Sequence, residues 1–416
     1  MIAYDRYTLQ NGLTVILHKD ESTPLVTVNV LYKVGSKNED ENRTGFAHLF
    51  EHLMFGGSEN VPDYDTPIQS AGGDNNAFTN SDLTNFYNVL PAENLETALW
   101  LESDRMMKLD FNQQSLDVQK KVVVEEFKET SINKPYGDLW HELSALAFRQ
   151  HPYRWPTIGL VPEHIEEAQL AEVEEFFHNY YKPNNAVLII AGNIDESSTK
   201  ASIEKWFGPI PAGKIHDKEI LAEPPQQAFR SKVLHQTVPS DAVYMAFHMP
   251  DRRHEDFIVY DLMSDILSGG RSSRLYERLL KGSQLYSSVN AYISGTMDPG
   301  LFVLEAKLLE GADMEKAKLL IWNELQKLVE EPVGQEEFQK VKNSMISAVA
   351  FSEVSITNKA INLAYYEMLG DVDLINHQEE EIDRVDVADI QRVAKQIFTK
   401  DNCSELIYLR KEATVA

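Results

Sequence analysis

Cysteine is almost missing from this 416-residue chain. Cys403 stands alone, so no internal disulfide can close and no thiolate metal cluster can be built. Long apolar runs are missing as well, and no stretch approaches the roughly 18 consecutive apolar residues that a membrane-spanning helix needs. Basic charge is scarce: 39 Lys and Arg face 65 Asp and Glu, a net charge of −26. That balance argues against nucleic acid and anionic membranes as partners, and mildly favours basic or unfolded peptides. Much of the acidity serves solubility. Nothing near Met1 has the form of a signal peptide, because Met1-Ile2-Ala3-Tyr4-Asp5-Arg6 leads directly into a strand pattern. The expectation is a soluble cytoplasmic protein, a removed leader aside.

What the chain does have is His48-Leu49-Phe50-Glu51-His52, an H-x-x-E-H string. On a helix, positions i and i+4 share a face, so the two imidazoles can grip one metal ion with Glu51 beside them. Catalytic Zn²⁺ takes three protein ligands and keeps a fourth position for water. Glu51 is then placed to take a proton from that water, as a base and not a ligand. Two ordinary histidines on a half-buried helix would read the same over five residues, so the surroundings must decide.

Those surroundings, Thr44-Gly45-Phe46-Ala47 before the motif and Leu53-Met54-Phe55-Gly56-Gly57-Ser58 after it, resemble the zinc helix of the pitrilysin/insulinase family of inverted zincins. Further matches follow in order. Gly72-Gly73, Asn76-Ala77, Thr79 and Thr84 resemble the family's substrate strand, Val122 to Glu126 its third-ligand helix, and His151-Pro152 with Thr157-Ile158-Gly159 a later turn. The resemblance spans nearly the whole chain. It implies zinc-dependent endopeptidase hydrolysis, in which Zn²⁺ on two histidines and a glutamate polarises the scissile carbonyl and Glu51 moves the proton.

In the family the third ligand is a Glu some seventy residues downstream, after a short apolar run. Glu125 and Glu126 are the candidates. Residues Asn112 to about Thr130 read as a helix with an Asn cap and an apolar stripe of Leu116, Val123 and Phe127. Matching the family's spacing onto Val122-Val123-Val124-Glu125-Glu126 selects Glu126, with residues 53–125 between it and His52. Glu125 would point about 100° away. Where relatives often carry a second Glu two turns earlier, this chain has Gln119. His141-Glu142, another possible ligand source, reads as packing on a following helix.

With 43% hydrophobic residues, the chain is long enough for two full cores. It reads as an internal duplication. Ile165 to Val173 and Ile382 to Ile390 are similar stretches, each a helix running into a turn and then a strand (Ala186 to Ile190; Leu406 to Leu409), and Asn94 to Met106 has a counterpart in Met314 to Leu328. The expected division is an N-terminal zinc-binding domain at 1–212, a Pro-rich linker at 213–228 and a homologous C-terminal domain without a zinc motif at 229–416. Each half opens with strands such as Gly12 to His18 and Leu25 to Val34. The expected class is α+β: two halves, each a mostly antiparallel sheet with helices on one side, facing across a cleft as the resemblance implies.

Residues Ala71 to Asn80 are too polar for a core strand and carry two glycines. As an exposed edge strand they could hold an extended peptide by main-chain hydrogen bonds, with affinity and little sequence preference. Composition alone suggests a Gly/Asn loop. The resemblance points to the edge strand and to Asn76, Ala77 and Thr79 as peptide contacts.

Active relatives also supply an Arg and a Tyr from the second half, spaced R-x₆-Y after a Gly-Gly-x-Ser-Ser segment. Here Gly269-Gly270-Arg271-Ser272-Ser273 matches, the Tyr position falls on Tyr286, and the Arg position falls on Leu279, with Arg278 one residue off register. A pair damaged in this way beside intact zinc residues resembles the zinc-bearing subunit of bacterial members that divide the work. It implies a heterodimer with a homologous subunit carrying the Arg/Tyr pair; a homodimer is the alternative. A different class of function, a non-catalytic assembly or peptide-binding subunit, would normally come with a broken zinc motif.

Overall fold

The computed structural model describes residues 1–215 and 218–411. Apolar β-rich runs form eleven strands among these residues. The first unit holds β1 (Asp5–Thr8), β2 (Thr14–Lys19), β3 (Leu25–Tyr32), β4 (Asp74–Thr79), β5 (Thr84–Pro91) and β6 (Ala186–Gly192), in the order β1-β2-β6-β3-β5-β4. The second holds β7 (Arg230–Gln236), β8 (Ala242–Met249), β9 (Tyr286–Ile293), β10 (Gly300–Leu308) and β11 (Cys403–Arg410), in the order β7-β11-β8-β10-β9.

Set β1 aside and the two orders are the same. β2 pairs parallel to β6, as β7 does to β11, and the remaining pairs are antiparallel. Capping repeats too. Gln169 with Glu172 and Asp386 with Asp389 form capping boxes at matching positions of the two halves. The stretches read as single helices are in fact broken just before these boxes: Glu163–Glu166 is separate from Leu170–Tyr180, and Gln378–Arg384 from Val387–Ile397. The box residues satisfy their own N-terminal donors, so each following helix starts anew.

Six helices matter below: α1 (Phe46–Leu53), α2 (Leu95–Met107), α3 (Gln113–Phe127), α4 (Leu139–Ala147), α5 (Leu170–Tyr180) and α6 (Ile356–Leu369). Alternation along the strands explains their placement. Val15, Leu17, Val26, Val28, Val30, Leu188 and Ile190 share a core with the apolar faces of α1, α2, α3 and α5. Ile16, Ile189 and Ala191 point the other way and are just as buried. There α6 lies against β3 and β6. A strand covered on both faces reads as a continuous apolar run, as Ala186–Gly192 does.

In the second unit, α4 covers the far face, packing Leu143 and Ala147 with Ala242, Tyr244, Val303 and Leu406. Each unit thus takes a helix from the other half of the sequence. Of the described residues, the first comprises 1–128, 155–215, 218–220 and 350–377, and the second comprises 129–154, 221–349 and 378–411. Packing therefore divides the chain differently from a boundary drawn at 213–228, and residues 216–217 of that stretch lie outside the described residues. Among the described residues no helix is long and apolar enough to cross a membrane.

Candidate metal centre

Helix α1 begins at Gly45, whose φ of +89° is a left-handed conformation that costs glycine nothing. Phe46, Ala47, Leu49, Phe50 and Leu53 face the core, and Phe50 packs on the rings of Phe176 and Tyr181 at 5.0 and 5.1 Å. This fixes the rotation of the helix and leaves His48, Glu51 and His52 together on the half-buried face. The N-terminus is held by Glu39, a buried carboxyl that accepts from the N–H groups of Gly45 (2.9 Å) and Ala47 (2.7 Å). Burial pushes the Glu39 carboxyl up to about 8, while those donors and Lys218 pull it back. The Thr157-Ile158-Gly159 turn braces the same place: Leu160 N–H donates to Thr44 Oγ1 at 2.8 Å, and a Cβ on Gly159 would sit 3.1 Å from Thr44 O.

The third member comes from α3. Asn112 caps it, its side chain accepting from Ser115 N–H at 2.7 Å, and Leu116, Val123 and Phe127 are buried as the apolar stripe requires. Glu125 points outward and pairs with Lys128 at 2.7 Å. One residue on, Glu126 turns toward α1. Its Oε2 lies 3.7 Å from His48 Nε2 and 3.4 Å from His52 Nε2, and the two Nε2 atoms are 3.3 Å apart.

Among the described residues, His48, His52 and Glu126 are the group of His, Cys, Asp and Glu whose ligand atoms converge closely enough to hold a metal ion. The donor set fits zinc. At bond lengths of about 2.0–2.1 Å, neighbouring ligands of a tetrahedral ion stand about 3.3–3.4 Å apart, close to all three separations here. A ligand imidazole must also be neutral, and burial together with the neighbouring His52 pushes His48 down to about 4.

Glu51 lies beside the triangle. Burial raises its carboxyl above the usual range, and the neighbouring Thr79 and His52 pull it back. Thr79 ends β4, which pairs with β5 on one side and, among the described residues, has no strand on its other edge. The turn bond from Asn80 N–H to Leu83 O sets the phase of the hairpin, so the N–H groups of Asn75, Ala77 and Thr79 face that edge. Two of these are met by neighbouring side chains: Asn76 Oδ1 accepts from Ala77 N–H at 2.8 Å and Asp74 Oδ1 from Asn75 N–H at 3.0 Å.

Of the residues singled out in the sequence, His48, Glu51, His52, Glu126 and Thr79 are thus brought together. Ala77 lies on the open edge, with the Asn76 side chain over its N–H. Tyr286 belongs to the second unit, where it is buried and donates its hydroxyl to Ala317 O at 2.6 Å. Arg278 lies in a π-helical turn, Tyr276–Lys281, and pairs with Glu324 at 2.8 Å, while Leu279 is in the core. Sequence reasoning did not identify Glu39. Its only signal was an acid in the run Glu39-Asp40-Glu41 a few residues before a helix start.

Residues 14–159 match the family described as insulinase (peptidase family M16), and residues 167–345 match the peptidase M16 inactive domain. The chain is 28% identical to the zinc protease PqqE of Helicobacter pylori over 98% of its own length and 93% of that protein's. It is 27% identical to the uncharacterized zinc protease YmxG of Bacillus subtilis, over 97% of each. The crystal structure of a protease from Helicobacter pylori superposes with a TM-score of 0.92 at 27% identity, covering 98% of this chain and 100% of that one. A peptidase M16 inactive domain from Pseudomonas fluorescens, at 17% identity and a TM-score of 0.89 over 99% of each, shares the fold. With both halves matched and the zinc-protease relatives aligned from end to end, the chain belongs to the M16 family, the pitrilysin/insulinase peptidases.

Proposed function

We propose that this chain is a zinc-dependent endopeptidase for extended or unstructured peptides, and the zinc-bearing subunit of a dimeric enzyme. The observation that carries the reading is the convergence of His48, His52 and Glu126, with Glu51 alongside and the edge of β4 beside it. A zinc ion held by those three ligands supplies Lewis acidity toward the scissile carbonyl and lowers the pKa of a water in its open position. Glu51 takes the proton of the attacking water and passes it to the leaving amine. The edge of β4 holds the peptide as an added strand through the Ala77 and Asn75 backbone, with Asn76 giving up its bond to Ala77 N–H.

The partner part of the reading rests on the second half. Tyr286 spends its one hydroxyl proton on Ala317 O and is no free donor for a substrate carbonyl, while Arg278, paired through Nη1 with Glu324, stands one residue off the position at which relatives carry the Arg. A homologous subunit would supply an Arg/Tyr pair. The test is cleavage of a quenched, unstructured peptide by the zinc-loaded chain, alone and with that subunit added. Low turnover alone and a large rise on mixing support the heterodimer. Full turnover by the single chain refutes it and leaves the endopeptidase reading standing; no zinc and no turnover in either sample would favour a non-catalytic subunit.

A further inference from the structure

We infer that Glu39 is a positioning residue for the metal centre, its carboxyl group fixing the first turn of α1, and with it His48, relative to the end of β4. The inference rests on the reading of His48, His52 and Glu126 as zinc ligands.

Helix α1 is eight residues long, little more than two turns, and His48 is the third of them. The first N–H groups of a helix have no acceptor within it, and a helix this short frays from that end unless a cap supplies one. Gly45, at the cap position, has no side chain to do so. Glu39 takes the task from six residues upstream: Oε2 accepts from Gly45 N–H at 2.9 Å and Oε1 from Ala47 N–H at 2.7 Å. Gly45 and Ala47 are themselves buried, so without Glu39 their N–H groups would be left unmet. Ala47 directly precedes His48, and a first turn released here would carry one of the three ligands with it. Two other helices of this unit, α3 and Glu196–Phe207, are capped locally, Asn112 and Asp195 each accepting from an N–H three residues on. A carboxyl reaching in from a separate turn does more than cap, since it ties the helix to whatever holds that turn.

That turn is held firmly. Asn38 N–H donates to Gly35 O at 3.0 Å and Glu39 N–H to Ser36 O at 3.2 Å, while Asn38 Oδ1 accepts from Gly35 N–H at 3.0 Å. Trp155 Nε1 donates to Ser36 O at 3.0 Å, and Lys218 Nζ donates to Glu39 O. The same turn grips the tip of the β4–β5 hairpin: Ser36 N–H donates to Asn80 O at 3.1 Å, Lys37 N–H donates to Ser81 O at 3.0 Å, and Lys37 pairs with Asp82 at 2.8 Å. Gly35 permits this approach, since a Cβ there would lie 2.5 Å from the backbone of Asn80 and Asp82. Residues 35–39 therefore touch the end of β4 at one end and the start of α1 at the other. The spacing of strand edge and metal ligands is set before metal or peptide arrives, which is the preorganisation a metal centre needs.

The experiment measures zinc affinity, by competition with a chromophoric chelator, for the parent chain, Glu39→Gln, Glu39→Met and Asp195→Ala. Gln keeps one of the two acceptor oxygens, and Met fills the volume with none. Asp195→Ala removes the cap of a helix that contributes no ligand, and so costs stability without touching α1. Affinity should fall about tenfold in Glu39→Gln and about a hundredfold in Glu39→Met, the range for residues that support a ligand, and stay within about twofold in Asp195→Ala. In the metal-free proteins the amides of residues 45–48 should exchange at least about tenfold faster in both Glu39 variants than in the parent. Glu39→Gln, nearly the same in shape, decides the matter alone if Glu39→Met does not fold. Unchanged affinity in the Glu39 variants, or an equal loss in Asp195→Ala, would overturn the inference and leave Glu39 a cap that only stabilises. A parent chain that binds no zinc would end the reading of the metal centre, and this inference with it.

Discussion

Nε2 of His52 stands 3.4 Å from Oε2 of Glu126, on two helices that begin at opposite ends of a long excursion of the chain. The adjacent Glu125 points to solvent, paired with Lys128. The two glutamates therefore predict opposite results. Glu126→Gln should weaken zinc binding by at least about 100-fold, since even residues that only support a ligand are worth 10–100-fold. Glu125→Gln should leave it unchanged. Zinc competition against a chromophoric chelator measures both.

Behind the end of α1 lies a buried ion pair. Arg105 donates to both oxygens of Glu102 at 2.9 and 2.5 Å, and its guanidinium packs over the rings of Tyr64 and Phe86, each at 4.3 Å. Tyr64 OH and Asn88 Nδ2 also donate to Glu102. Arg105→Met leaves the carboxylate buried and unpaired, so it should cost about 3–5 kcal/mol in urea denaturation. Adding Glu102→Gln should recover part of that loss, because the two residues are coupled.

Docking of α6 carries a pH signature. Lys359 Nζ lies 2.6 Å from Asp20 Oδ2, both largely buried, and with the Ser22 donors it holds the Asp20 carboxyl well below the usual carboxylate range. A carboxyl lowered in the folded state adds stability above its unfolded pKa of about 4 and loses it as the pH falls toward the folded value. Lys359→Met should therefore cost about 1 kcal/mol at pH 6 and progressively less below pH 4. Denaturation midpoints at pH 6 and pH 3 test this, a constant difference between variant and parent counting against it.

Much of this was legible in the sequence because it is local. Asn112, the stripe of Leu116, Val123 and Phe127, and the absence of Gly and Pro specify α3 even with three valines in a row, since Val123 and Val124 are buried and Val122 takes the exposed side. The H-x-x-E-H face follows from helical spacing alone. The duplication is legible in matching stretches, and the sheets carry it through to strand order.

What was not legible depends on partners distant in sequence. Nothing in Ile356–Leu369 indicates that it covers the sheet of the first unit, because an apolar helix face does not name the surface it buries against. Tyr286 matched a motif position, but only the packing shows its hydroxyl on Ala317. The π-helical turn at Tyr276–Lys281 changes which side chains share a face, so a count in steps of 100° could not place Arg278. Thr79 likewise matched as a peptide contact, and its place next to Glu51 needs the hairpin and α1 both in place.

The most direct measurement pairs zinc content with peptide turnover for the parent chain and Glu51→Gln, in whichever assembly is active. The account predicts one zinc per chain in both proteins and a loss of turnover of at least about 1000-fold in the variant, roughly 4 kcal/mol of barrier. Turnover retained in Glu51→Gln, or a parent chain that binds no zinc, would contradict it.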